Sequence, residues 1–256
     1  MRKYTSEISL NNNSSHGIIF NEIKEGSRVL EFGCASGRVS KLLCERNCKV
    51  YGVEIMPDAF ADAKKFLFDG ICSDIEKYEW KEKFSGTDFD VIIFSDVLEH
   101  LRNPEKVLFE AAKFLKEDGF IIASIPNIAH GDILAKLYQN RFDYTSEGLL
   151  DNTHIRFFGY NNLIELFSSG ELFLAWVNGT HAPLGATEQA TDKSKKLLTD
   201  LRKKQYGDVY QFVFKLYKRE YAEKSGMKYE NRLNDGFSAF LQVYFNTGEG
   251  YSESFS

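Results

Sequence analysis

The sequence predicts a doubly wound α/β fold, a mainly parallel sheet of seven strands with helices on both faces. Three observations predict it. Short apolar runs recur at strand length, at 28–32, 49–53, 89–94 and 120–125. Segments of helical character separate them, which is the βαβα alternation of a parallel sheet. The turn after the first run, Gly33-Cys34-Ala35-Ser36-Gly37, brings a tight loop to the start of a helix.

The elements follow in order. Asn11-Asn12-Asn13-Ser14-Ser15-His16 precedes Gly17-Ile18-Ile19-Phe20, which reads as an amphipathic helix capped by Ser14 or Ser15. The first strand, Arg28 to Phe32, leads through the glycine turn to a helix from Arg38 to Arg46. A second strand, Lys49 to Val53, is followed by a helix from Asp58 to Lys65, and a third strand closes at Cys72. After the fourth strand, Phe89 to Phe94, a helix from Pro104 to Leu115 has proline at its start and Asp118-Gly119 just past its end. The fifth strand is Phe120 to Ile125. A helix at Tyr160 to Phe167 and strands near Leu172 to Val177 and from Val209 to Tyr217 complete the sheet. The lysine-rich stretch Thr187 to Lys204 reads as a solvated helix or a lid. Arg219 to Asp235 is charged and unpatterned, and Phe237 to Phe245 alternates like a further strand before the turn Asn246 to Gly250. We therefore expect a main domain at 1–219, with an N-terminal helical segment at 1–25 and an acceptor-pocket insertion at 126–160. Residues 220–256 are then an extension or the start of another domain.

Length and composition set the outer bounds. A chain of 256 residues with 43% hydrophobic content builds one sizeable core. The net charge of −5 and pI near 5.7 count against a nucleic-acid partner and for a small-molecule one. Met1 to Asn13 is polar, unlike a signal peptide, and no apolar run reaches bilayer length, so a cytoplasmic protein without a membrane span is expected. Cys34, Cys44, Cys48 and Cys72 lack the paired spacing of a zinc ribbon and read as free thiols in or near the core.

The glycine turn carries the first chemistry. Glycines at 33 and 37 let the backbone turn sharply toward a ligand, and the helix that follows presents amide groups and a positive dipole. Ala35 and Arg38 occupy the second and third glycine positions of G-x-G-x-x-G, so the pyrophosphate-binding fingerprint is absent. Instead Glu31 precedes the loop, Glu54 ends the second strand where a carboxylate can accept both ribose hydroxyls, and Asp74 follows the third.

These residues resemble the class I S-adenosylmethionine-dependent methyltransferases, whose glycine motif looks like E/D-x-G-x-G-x-G. The likeness covers roughly residues 14–217, and Ala35 for the middle glycine is similar to a subset with V-L-D-x-G-C-A-T-G. It implies a Rossmann-like methyltransferase fold and S-adenosylmethionine as cofactor. Gly33, Ala35 and Gly37 would face its methionyl part, Glu54 the ribose, and Asp74 with Ile75 the adenine, with Ser36 and Ile55 also in the cofactor site. Glu31, Ser95 and His16 would complete the cofactor site, and Asp96 would border the methyl-transfer site. Asn11 to His16, Pro126-Asn127-Ile128-Ala129-His130 and Thr153-His154-Ile155-Arg156-Phe157-Phe158 resemble motifs of a bacterial subset associated with polysaccharide biosynthesis and glycosyltransferases. That likeness implies O-methylation of a sugar, glycan or related small molecule, with fusion to or association with a glycosyltransferase. Another acceptor (an RNA terminus, a quinone precursor, an amine) and a non-catalytic cofactor-binding module stay open.

The catalytic expectation rests on Ser95-Asp96-Val97-Leu98-Glu99-His100 and the distant His154. On an α-helix, Asp96, Glu99 and His100 share one face. With His154 they form two oxygen and two nitrogen ligands, suited to Mg²⁺, Mn²⁺, Fe²⁺ or Zn²⁺. The set resembles the E-x-x-E-H plus histidine of small-RNA terminal 2′-O-methyltransferases and the E-x-L-E-H of ubiquinone-pathway O-methyltransferases, and both of those families use a metal. Without metal, His154, or else His100, is the general base. Phe157 and Phe158 read at least in part as core. Tyr138, Arg141 and Tyr144 in the insertion face either substrate or solvent.

Overall fold

Alternation along the central strands splits the core into two halves. In the computed structural model, which describes residues 9–168, 170–190 and 205–233, β1 (Arg28–Phe32) sends Leu30 and Phe32 to one side and Val29 to the other. β2 (Lys49–Glu54) and β4 (Phe89–Ser95) do the same, with Val53, Ile92 and Phe94 on the first side and Val50, Val91 and Ile93 on the second. Burial on both faces is why these strands read as unbroken apolar runs. On the first side Phe32 stacks on Phe94 at 4.7 Å and meets Trp80 edge-on at 4.9 Å. That layer is closed by α4 (Glu79–Lys83), α5 (Pro104–Ala112) and α7 (Tyr160–Ser168). The second side is closed by α1 (Ser15–Glu22) and α2 (Arg38–Glu45).

The sheet order is β3-β2-β1-β4-β5-β7-β6-β8, with β3 at Asp69–Cys72, β5 at Leu115–Pro126, β6 at Leu172–His181, β7 at Val209–Lys218 and β8 at Glu230–Asn231. β1 to β5 run parallel and β7 enters antiparallel between β5 and β6. The parallel strands therefore all end at one edge, where an open α/β sheet binds its ligands. α3 (Pro57–Ala63) and α6 (Gly131–Tyr138) lie beyond the ends of β2 and β5.

Four expectations are corrected. The sheet has eight strands, not seven, because Glu230–Asn231 pairs as β8 with Trp176 and Val177. The stretch from Arg219 is not unpatterned: α8 (Arg219–Lys224) follows β7 directly and buries Ala222, and Leu233 is buried beyond β8. A boundary at 219 thus falls within an element packed on the sheet. Helix α5 stops at Ala112, and Asp118-Gly119 lies inside β5. Phe89 pairs with Leu115 and Val91 with Phe120, so the extra residues bulge out of the ladder. Of the four cysteines, Cys34 and Cys48 are buried, but Cys44 and Cys72 are exposed. The expected helix or lid at Thr187 to Lys204 lies outside the described residues beyond Ala190, as does the expected strand Phe237 to Phe245. No helix among the described residues is long and apolar enough to cross a membrane.

Candidate active site

One cavity of about 1800 Å³ occupies the carboxyl edge of the parallel strands. Ligand clefts usually measure roughly 300–1,000 Å³, so this one has room for a cofactor and an acceptor together.

At one end the glycine turn is built as its sequence implies. Gly33 has φ +68°, and a Cβ there would sit 2.7 Å from the Val97 side chain. Gly37 has φ +77° and packs against Ala63 of α3, where a Cβ would approach within 2.7 Å of its Cα. Gly37 does not line the cavity; it lets α3 close over the turn. Ala35, at φ +46°, holds a left-handed conformation that glycine adopts more easily. The Glu54 carboxylate accepts the Ala35 amide at 2.8 Å and the Met56 amide at 2.9 Å, which fixes the turn against the end of β2. Glu31 is buried and accepts from Ser40 Oγ at 2.5 Å. Burial outweighs that hydrogen bond, and with Glu54 nearby it pushes the Glu31 carboxyl up to about 8. Burial also pushes the Cys34 thiol up. Asp74 accepts the Glu76 amide at 2.9 Å. Glu31, Gly33, Ala35, Ser36, Glu54, Ile55, Asp74, Ile75 and Ser95 all line the cavity, Ile55 from a 59% exposed position at the rim.

His16 reaches the same cavity from α1. Ser14 is the cap, its Oγ accepting the Gly17 amide at 3.0 Å. The Asn13 side chain brackets the backbone of His181, donating to its carbonyl at 3.0 Å and accepting its amide at 2.7 Å. Burial lowers the His16 imidazole below its ordinary range, against the pull of Asp96.

The other end is organised differently. Asp96 sits at φ +55°, and Leu98–His100 is a single 3-10 turn, so Asp96, Glu99 and His100 do not share a helix face as expected. The Asp96 carboxylate accepts Ser124 Oγ at 2.9 Å and Gln211 Nε2 at 2.8 Å. It is committed to β5 and β7 and stays outside the ligand group in which spacing placed it. Glu99, His100 and His154 do converge, with one donor atom from each all within 4.8 Å of one another. Backbone bonds set that meeting: the Glu99 carbonyl accepts the amides of Ile155 at 3.0 Å and Arg156 at 2.9 Å.

Both imidazoles have their tautomer fixed. His154 Nδ1 donates to the Leu149 carbonyl at 3.3 Å and His100 Nδ1 to the Thr153 carbonyl at 3.1 Å, which leaves each Nε2 as the acceptor nitrogen. His154 Nε2 is 3.8 Å from Glu99 Oε1, too far for a hydrogen bond. Glu99 is 1% exposed, and neither of its carboxylate oxygens has a partner. Burial, with Asp96 and Asp151 adding repulsion, pushes its carboxyl well up. Burial and the neighbouring His100 hold His154 below its ordinary range, so it is a neutral base at neutral pH.

Several wall residues escaped the sequence reading. Tyr210 and Gln211 reach the cavity from β7, Glu147 and Asp151 from the insertion, and Glu188 from the segment after β6. Asp151 adjoins the Asn152-Thr153-His154 motif and was findable from it, whereas Glu188 has no local signal. The insertion does shape the pocket, but Tyr138, Arg141 and Tyr144 do not line it. Tyr138 is 76% exposed and Arg141 pairs with Asp143. Phe157 packs on Leu149 and Leu150, and Phe158 on the main core.

Residues 13–169 match a family model described as a methyltransferase domain, which covers more than half of the chain. The chain belongs to that methyltransferase family. Its curated relatives include ubiquinone biosynthesis O-methyltransferases. That of Azoarcus sp. strain BH72 is 28% identical over 105 residues, 40% of this chain and 45% of the relative. That of Burkholderia vietnamiensis is 26% identical over 167 residues, 62% of this chain and 71% of the relative. The chain thus spans less than half the length of the Azoarcus relative. Among solved structures, a possible histamine N-methyltransferase of Thermotoga maritima superposes with a TM-score of 0.54 at 20% identity, covering 80% of this chain and 88% of that one. The magnesium protoporphyrin IX methyltransferase of Synechocystis PCC 6803, solved with bound S-adenosylhomocysteine, gives 0.53 at 14% identity, covering 80% of each chain. At such identities the likeness is one of fold.

Proposed function

We propose that this methyltransferase moves the methyl group of S-adenosylmethionine to a hydroxyl of a sugar, glycan or related small molecule, with His154 as the base. The observation that carries the reading is the unpartnered, buried Glu99 beside two imidazoles, His100 and His154, each of whose Nδ1 atoms is bonded to a backbone carbonyl. In this reading Glu31, the 33–36 turn and His16 hold the methionyl end, Glu54 the ribose, and Asp74 with Ile75 the adenine. The acceptor hydroxyl lies against His154 Nε2, which takes its proton as the oxygen attacks the sulfonium methyl in line. Asp96, held by Ser124 and Gln211, borders the path of the methyl group. The acidic character of the chain supports a small acceptor over RNA, and the resemblance to polysaccharide-associated enzymes supports a sugar over a quinone precursor.

Glu99's orphaned oxygens favour a second reading of the same site. A carboxylate and two imidazoles, each with its far nitrogen bonded to a carbonyl, suit a divalent transition ion. Glu99, His100 and His154 would hold it, and it would supply a Lewis acid that lowers the pKa of the acceptor hydroxyl.

Thermal unfolding with S-adenosylhomocysteine tests both, because a ligand that binds only the folded state raises the melting temperature. A rise unaffected by Mn²⁺ or chelator supports the metal-free base. An additional Mn²⁺-dependent rise, lost in Glu99→Gln, supports the metal reading. No rise with S-adenosylhomocysteine overturns the methyl-donor assignment.

A further inference from the structure

We infer that the acceptor sugar is presented on a phosphate or diphosphate ester, whose anionic group sits in a basic groove beside the methyl-transfer chamber. This rests on the reading that the methylated hydroxyl lies at His154. The main cavity adjoins a second hollow of about 510 Å³, and Arg102, Asn103 and Lys106 line both. Arg156 completes the hollow's rim. In sequence Arg156 is two residues beyond His154, a span of roughly 7 Å in extended chain, about one sugar residue from the base.

The two compartments differ in charge. The chamber beside His154 is walled by the carboxylates of Glu147, Asp151 and Glu188, which repel phosphate. The groove instead holds the cations Arg102, Lys106 and Arg156 over a floor of Phe109, Phe158 and Leu166. Its two carboxylates do not cancel them. Glu110 is engaged by Lys81 and Lys113, which hold its carboxyl down at about 2, and Glu105 stands alone. Arg156 donates one Nη2 bond to the Arg102 carbonyl at 2.6 Å, and Lys106 lies 5.1 Å over the Tyr78 ring. Among the described residues neither is paired with a carboxylate, so the charge is open to a ligand. The amides of Arg102 and Asn103 already donate to Glu76, so the site is made by side chains and not by the helix end. A guanidinium fork and an ammonium recognise phosphate oxygens, and a free hydroxyl acceptor needs neither.

The same diphosphate chemistry comes on a nucleotide or on a lipid carrier, and the probes separate them. Calorimetric titration of the full chain, saturated with S-adenosylhomocysteine at low salt, uses pyrophosphate, uridine diphosphate and geranyl diphosphate. All three are expected to bind, about tenfold or more weaker in Arg156→Gln/Lys106→Gln and weaker still as salt rises. Arg156→Lys is expected to recover part of the loss, which a folding defect would not allow. Tighter binding of uridine diphosphate than of pyrophosphate assigns the nucleotide carrier, and tighter binding of geranyl diphosphate assigns the lipid. Wild-type protein that binds S-adenosylhomocysteine but no diphosphate, or a double variant that binds them equally well, overturns the inference. Wild-type protein that binds no S-adenosylhomocysteine overturns the methyl-donor reading, and the groove's role with it.

Discussion

The two ends of the cavity are built on opposite plans. At the glycine-turn end the carboxylates are engaged before any ligand arrives: Glu54 by two backbone amides, Glu31 by Ser40, Asp74 by the Glu76 amide. At the His154 end neither carboxylate oxygen of the buried Glu99 has a hydrogen-bond partner, and the two imidazoles beside it turn their Nδ1 atoms to backbone carbonyls. The first plan is that of a preformed binding site, where order is stored in the protein and little is spent on binding. The second leaves polar groups whose desolvation, about 1–3 kcal/mol for each unmet group, is recovered only when a substrate or ion completes them. If the glycine-turn end binds the cofactor and the His154 end carries the reaction, as proposed, substitutions at the two ends should separate binding from reaction.

The largest separation is expected at His154. His154→Ala removes the proposed base and should slow methyl transfer by about 10²–10⁴-fold while S-adenosylhomocysteine affinity stays close to wild type, as read by steady-state rates beside calorimetry. Comparable losses in both would merge the two ends. Next comes Glu54. Glu54→Ala deletes charge-assisted hydrogen bonds and loosens the turn, so affinity for S-adenosylhomocysteine should fall roughly 10–100-fold. An unchanged dissociation constant would remove Glu54 from the ribose site.

A smaller effect is expected from Glu31. Its carboxyl, raised to about 8, is protonated in the free protein at neutral pH, whereas the cationic amino group of a bound methionyl moiety favours the ionised form. Binding then releases a proton, and affinity should rise several-fold between about pH 7 and 9, a slope that Glu31→Gln abolishes. In the free protein the sign is the reverse: a raised carboxyl contributes stability that is full at acid pH and is lost as pH climbs through about 8. The smallest effect concerns Ala35. Its left-handed backbone costs about 1 kcal/mol that glycine does not incur, so Ala35→Gly should raise the melting temperature by roughly 2–4 °C, read by thermal unfolding.

The glycine-turn end of the cavity was more legible in the sequence than the His154 end, for a physical reason. Its residues lie on strand ends and one glycine turn, where local pattern and backbone conformation coincide: the sequence puts Glu31 and Gly33 at the turn and Glu54 and Asp74 at strand ends, and all four line the cavity. At the other end, spacing alone put Asp96 on a helix face with Glu99 and His100. The positive φ of Asp96 and the 3-10 turn that follows are invisible to periodicity, and they turn Asp96 toward Ser124 and Gln211 instead. Gln211 lies 115 residues from Asp96 and meets it only because β7 inserts antiparallel beside β5. Asp118-Gly119 failed similarly, reading as a helix stop when strand pairing resumes early and absorbs the pair in a bulge.

The most direct test of the central claim is transfer of labelled methyl from S-adenosylmethionine to pooled acceptors: sugars and their diphosphate esters, glycans, quinone precursors, amines and RNA. Label is expected on a hydroxyl of a sugar-containing small molecule, at a rate about 10²-fold or more lower with His154→Ala. Label confined to an amine or to RNA, or transfer to sugar undiminished by His154→Ala, would rule that reading out.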